Sequence, residues 1–170
     1  LVALYIYRTV PEFLWRFVSW VIVHSIYRVK TTGHENVPEQ GAALIAPNHV
    51  SYIDALVLSA ISPRPIRFVM DANIFKVPVL SWLFRQVNAI PIASAKDDPE
   101  VLAKALAAVH QALENDELVC VFPEGELTRD GSLGVFKPGI RKFFWFFYWV
   151  NTILGSRENE NLLNKTVYLI

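Results

Sequence analysis

Four short apolar runs, at 42–46, 66–70, 89–93 and 118–122, alternate with three segments of helical character. That alternation constrains the fold of this chain more tightly than any other feature. Runs of this length fit single strands of a buried sheet. The first is closed by Pro47 and the last by Pro123, a residue type that cannot donate to a sheet ladder. Between the runs, 52–61 reads as a helix and 74–84 as a helix broken or kinked at Pro78, because proline removes a backbone donor and crowds the preceding turn. A third helix is predicted over 99–114, with Asp98 at its cap and Pro99 at its first position, the arrangement that satisfies the open amides of a helix start. The order βαβαβαβ predicts an α/β fold, a mostly parallel sheet covered by helices, since parallel neighbours need long crossovers.

The remaining length divides around this unit. Residues 1–30 read as an amino-terminal helix with Pro11 in its first turn, and the stretch 13–27 within it is apolar and aromatic but interrupted by Arg16 and His24. No run reaches the eighteen or so uncharged apolar residues of a standard spanning helix. Tryptophan and tyrosine with a snorkelling arginine describe a membrane-interfacial helix, a reading weighed here against a core helix at the domain edge. Residues 31–142 form the expected catalytic-type domain, opened by a polar connector at 31–41. The segment 143–170 is a divergent tail, an aromatic block followed by a polar, asparagine-rich stretch.

Length and charge narrow the function. A chain of 170 residues suits one domain with a real core. Sixteen basic and sixteen acidic residues leave no net charge, which argues against a nucleic-acid partner. The composition, 53% hydrophobic and 13% aromatic, points instead to poor solubility or to a membrane surface. The single cysteine, Cys120, excludes an internal disulfide and fits a reducing compartment. The four histidines lack metal-ligand spacing, so no metal site is predicted. The chain opens on Leu1 and its only methionine is Met70, which reads as a piece of a longer polypeptide.

Two polar motifs follow strands. Asn48 and His49 come just after the first run, with Asp54 five residues beyond the histidine. A histidine with an orienting carboxylate and no obligatory serine nucleophile suits a base that activates a hydroxyl of the substrate itself. Within a continuous helix the two side chains would diverge by more than a quarter-turn. If His49 sits in the loop before the helix, they can meet. A plainer reading competes: Ser51 and Asp54 match a capping box, with Ser51 as cap. The two are compatible. The second motif, Phe122-Pro123-Glu124-Gly125, leaves the last run through a turn whose amides suit a developing negative charge, and Thr128 and Arg129 add a hydroxyl and a guanidinium. In α/β sheets ligands gather at the carboxyl ends of strands.

These motifs together resemble the glycerolipid acyltransferase family of the 1-acylglycerol-3-phosphate acyltransferase type, over residues 30 to 142. Residues 89–93, 97–100, 122–131 and 136–139 are most similar to the acyltransferase part of bacterial 2-acylglycerophosphoethanolamine acyltransferase/acyl-carrier-protein synthetase fusions. The resemblance implies His49 as general base and Asp54 as its orienting partner. It implies substrate-binding roles for Asn48, Glu124, Gly125, Thr128 and Arg129, and no cofactor. The donor would be an acyl thioester of acyl carrier protein or coenzyme A, the acceptor a lysophospholipid. The implied location is the cytoplasmic face of a membrane, such as a bacterial inner membrane. Ser94 stands where the family often carries an arginine for the acceptor phosphate, which favours a phosphodiester lysophospholipid; Arg85 or Arg129 would compensate. The family's last motif, an apolar strand with a proline, is missing after Ile140. A non-catalytic lipid- or membrane-binding fragment is therefore the alternative. A hydrolase using Ser51 is weaker, because no G-x-S-x-G elbow exists.

Overall fold

The computed structural model describes residues 11–33, 36–128 and 134–137. Helix α1 covers Pro11–Ile26, strand β1 Ala43–Ile45, helix α2 Asp54–Ile61 and strand β2 Ile66–Asp71. A 3₁₀ turn over Ala72–Lys76 leads into helix α3, Pro78–Gln86. Strand β3 (Ile90–Ile92), helix α4 (Pro99–Glu114) and strand β4 (Leu118–Val121) complete the order. The expected tail, residues 143–170, and residues 1–10 lie outside the described residues, and α1 ends at Ile26 rather than continuing to 30.

All pairings in the four-stranded sheet are parallel, and the strand order is β1-β4-β2-β3. Ile45 lies opposite Cys120, and Val69 opposite Val121. The central strand β4 is buried along its whole length, as expected for a strand with helices on both faces. Its alternate residues feed two cores. Val119 and Val121 join Leu44, Val69 and the Ala105–Val109–Leu113 stripe of α4 on one face. Leu118 and Cys120 join Ala43, Ile45 and Phe68 on the other, where Ala55 and Leu58 of α2 cover them.

Local chemistry sets the element ends. Asp98 Oδ1 accepts the amides of Glu100 (3.1 Å) and Val101 (2.9 Å), capping α4. The helix predicted over 74–84 is interrupted at Val77, whose amide closes the 3₁₀ turn on Ile74, and restarts with Pro78 at its first position. The break is the one expected at Pro78; a difference lies at α2, which begins at Asp54 rather than 52. Asp54 Oδ2 takes the Val50 and Ser51 amides, both at 2.8 Å, and holds 50–53 as turn. This is half of the predicted capping box. The reciprocal half is missing: Ser51 Oγ accepts only from the Ile53 amide, at 3.4 Å.

Helix α1 is joined to the sheet unit. Val23 is fully buried, Trp15 meets Trp82 of α3 edge-on at 5.6 Å, and Arg16 Nη2 donates to the Ser62 carbonyl at the end of α2 (2.6 Å). Arg16 was expected to snorkel outward. It turns inward instead, toward the carbonyl that ends α2, and desolvation by burial lowers its pKa.

Candidate active site

Because β1 and β4 are neighbours and parallel, the loops that leave their carboxyl ends lie side by side. The loop after β1 carries Asn48 and His49, and the loop after β4 carries Phe122 to Thr128. Sequence neighbours could not build this site: His49 and Glu124 are 75 positions apart.

His49 is held at four points. Its Nδ1 meets Asp54 Oδ2 at 3.0 Å. Its backbone amide donates to Glu124 Oε2 at 2.7 Å. Its carbonyl accepts both the Thr128 amide (2.9 Å) and the Thr128 hydroxyl (3.2 Å). Its ring lies nearly parallel to that of Phe122, with centroids 4.1 Å apart. Phe122 continues the period-2 face of Leu118 and Cys120, so the strand itself presents the platform on which the imidazole rests.

The tautomer follows from the partner. An ionised carboxylate can only accept, so Nδ1 carries the proton and Nε2 presents its lone pair. Among the described residues Nε2 has no hydrogen-bond partner, and no hydrogen bond joins His49 to Ser51 Oγ. The pair is partly open, with side-chain exposures of 21% for His49 and 19% for Asp54. A base with one fixed nitrogen and one accessible nitrogen can take a proton from a hydroxyl brought to it.

Glu124 is the buried charged residue of the site, at 3% exposure. Its two carboxylate oxygens are divided between backbone amides, Oε2 with His49 and Oε1 with Gly134 (3.0 Å). A carboxylate that accepts charge-assisted bonds from two separate loops ties them together. Gly125 follows with φ +64°, a conformation that suits glycine. Its amide donates to the Phe122 carbonyl at 3.1 Å, closing the turn, and so points at the protein rather than at a developing charge.

The structure therefore brings His49, Asp54, Glu124, Gly125 and Thr128 to one edge of the sheet. Asn48 is half-buried beside His49 and has no hydrogen-bond partner among the described residues. Arg129 lies outside the described residues. Ser94 donates to Asp97 Oδ2 at 2.6 Å, and its carbonyl takes the Asp97 and Asp98 amides, so it builds the turn that leads into α4. Arg85 Nε reaches Ser81 Oγ at 3.3 Å on α3. Among the described residues no group of three or more His, Cys, Asp and Glu side chains is placed to hold a metal ion. The Phe122 platform and the Glu124 link were not foreseen from the motifs. The signal for Phe122 was its place in the alternation of the last apolar run; that for Glu124 was its position directly beyond a fully buried strand.

A family model described as "Acyltransferase" matches residues 28–152. This chain belongs to the acyltransferase family. It is 28% identical over 127 residues to a chloroplastic 1-acyl-sn-glycerol-3-phosphate acyltransferase of Arabidopsis thaliana, covering 74% of this chain and 34% of the relative. A chloroplastic 1-acyl-sn-glycerol-3-phosphate acyltransferase of Brassica napus is also 28% identical, over 74% of this chain and 35% of its own length. Lysophosphatidylcholine acyltransferase 1 of Rattus norvegicus is 25% identical over 139 residues, 79% of this chain and 25% of that protein. The chain thus spans about a third of the length of the two plant relatives. No solved structure matches it. The matched span contains every residue of the site described above.

Proposed function

We propose that this protein is an O-acyltransferase that moves a fatty acyl group from an acyl thioester to the free hydroxyl of a lysophospholipid. The observation that carries the reading is the immobilised His49, with Nδ1 on Asp54 and Nε2 unengaged. Nε2 takes the proton of the acceptor hydroxyl, and the oxygen attacks the thioester carbonyl carbon. A new C–O ester bond forms as the C–S bond breaks. The proton on the imidazole passes to the departing thiolate, so no covalent acyl-enzyme and no serine are needed. Asp54 keeps the imidazole in the right tautomer and stabilises the imidazolium that forms. Arg129 is assigned to the oxyanion, since the Gly125 amide is committed to its own turn. Glu124 and Thr128 act by fixing the backbone of His49, and Asn48, next to His49, is assigned to the acceptor.

The relatives' names, one for a 1-acylglycerol 3-phosphate and one for lysophosphatidylcholine, support a lysolipid acceptor. The donor is acyl carrier protein or coenzyme A thioester, and neither needs a cofactor held by the chain. The exposed face of α1, with Phe13, Phe17 and Trp20 at helical spacing, supports attachment at a membrane interface, on its cytoplasmic face where the thioesters are found. No helix among the described residues is long and apolar enough to cross a membrane.

The test is transfer of labelled palmitate from each thioester to a panel of lysophospholipids, wild type beside His49→Ala. Loss of a general base costs about 10²–10⁴-fold. Full activity in the variant would remove His49 from the mechanism. A folded wild-type protein that transfers to no acceptor while still binding vesicles would instead establish the non-catalytic lipid-binding reading.

A further inference from the structure

Backbone freedom does not explain the glycine at position 134. Among the described residues Gly33, Gly41 and Gly125 have positive φ and Gly134 does not, so a side chain would not strain its backbone. What the position lacks is room. A Cβ built on Gly134 would stand 2.8 Å from Thr128 Cγ2, 3.0 Å from Glu124 Cγ and 3.4 Å from Glu124 Cβ. Carbon atoms in favourable contact lie about 3.5–4.0 Å apart. The two residues in the way are those that hold the backbone of His49. Glu124 Oε2 accepts the His49 amide at 2.7 Å, and the Thr128 amide and hydroxyl donate to the His49 carbonyl at 2.9 and 3.2 Å. Gly134 also donates its own amide to Glu124 Oε1, at 3.0 Å.

The segment that carries Gly134 is not free to retreat from a new side chain. Phe136 packs against the core cluster of Val119 and Val121. The Lys137 amide donates to the Pro123 carbonyl at 3.0 Å, and Lys137 Nζ pairs with Glu126. The Lys137 stem lies over Gly125, with Cγ and Cε 3.2 Å from where a Cβ there would stand. Thr128 cannot yield alone either. Its side chain is β-branched, so turning Cγ2 aside carries Oγ1 away from the His49 carbonyl. A methyl group at 134 would therefore be accommodated at the expense of the bonds to His49.

We propose that segment 134–137 is a strap that closes the cradle of His49, and that Gly134 is a positioning residue. Its missing side chain lets Glu124 and Thr128 hold the imidazole in register with the acceptor hydroxyl. The inference rests on the lysolipid-acyltransferase reading for the role of His49, and adds to it a residue that touches neither substrate nor base.

The experiment compares the full chain with Gly134→Ala, Thr128→Ser and the double variant. Serine keeps the amide and hydroxyl that bind the His49 carbonyl and removes the Cγ2 that alanine would meet. Gly134→Ala should lower kcat for acyl transfer by roughly tenfold to 10²-fold through a displaced base. KM for the acceptor should stay within about twofold of wild type, because no substrate contact is removed. The double variant should return to within about threefold of Thr128→Ser, since the two positions share the contested space. Hydrogen exchange at the His49 and Thr128 amides is read in parallel. Both should exchange about five- to tenfold faster in Gly134→Ala, the loss of one ordinary hydrogen bond, and slow again in the double variant. Wild-type kcat together with wild-type exchange in Gly134→Ala would overturn the proposal. A loss that persists in the double variant overturns it too, as does a raised KM at unchanged kcat, which would make Gly134 an acceptor contact. If Gly134→Ala does not fold, recovery of a folded, active chain in the double variant supports the proposal, and failure of both overturns it. If the wild type transfers to no acceptor, the acyltransferase reading falls, and exchange at the two amides still decides for or against the strap.

Discussion

Replacing Glu124 by glutamine discriminates between a carboxylate that binds substrate and one that holds the site in shape. The side chain is 3% exposed, and its two oxygens accept the His49 amide at 2.7 Å and the Gly134 amide at 3.0 Å. Glutamine keeps one accepting oxygen and turns an NH₂ group toward the other amide, so one charge-assisted bond is lost. Such bonds contribute about 1.5–3 kcal/mol each. Set against a total stability of roughly 5–15 kcal/mol, this should lower Tm by roughly 3–12 °C, at about 2–4 °C per kcal/mol for a chain of this size. Alanine loses both acceptors and should cost roughly 3–6 kcal/mol. Because the lost partner is the backbone of His49, a shift of the imidazole by about 1 Å is expected to lower kcat by roughly 10²-fold. Thermal unfolding followed by circular dichroism, together with steady-state acyl transfer, measures both quantities. A Glu124→Gln protein that melts with the wild type and shows only a raised KM for the acceptor would refute the reasoning, and the carboxylate would then be a substrate ligand.

Asp54→Asn should leave the melting temperature nearly unchanged, since one amide oxygen can still accept the Val50 and Ser51 amides, yet lower kcat by about 10²–10⁴-fold; retention of the wild-type rate would show that the carboxylate is only a turn-forming group. Cys120 is fully buried and its thiol pKa is pushed up by desolvation, so it should resist alkylation in the native protein and react only as the chain unfolds; rapid labelling under native conditions would contradict the packing of β4. Asp98→Ala removes the acceptor for two amides at the start of α4 and should cost about 1 kcal/mol in urea unfolding, without changing acyl transfer.

What the sequence by itself determined was whatever rests on near neighbours. The four strands fell within a residue or two of the apolar runs, and the break at Pro78 and the Asp98–Pro99 start of α4 were legible because a missing amide and a short acceptor side chain act over one turn. The His49–Asp54 contact was also within reach, since a loop before a helix brings positions five apart together. The tertiary structure decided the rest. Only the parallel pairing of β1 with β4 sets the two motif loops side by side, and strand order is carried by long-range packing that no periodicity records. That pairing gave Glu124, read from its motif as a substrate-binding group, a partner in the backbone amide of His49. It also made Phe122 a platform and reduced Ser51 to a turn residue. Arg16 likewise reads as a snorkelling cation in one dimension, and finds the carbonyl of Ser62 in three. Each of these depends on which partner arrives from far along the chain. A buried polar group must be satisfied by whatever the fold brings to it, and the fold alone chooses that partner.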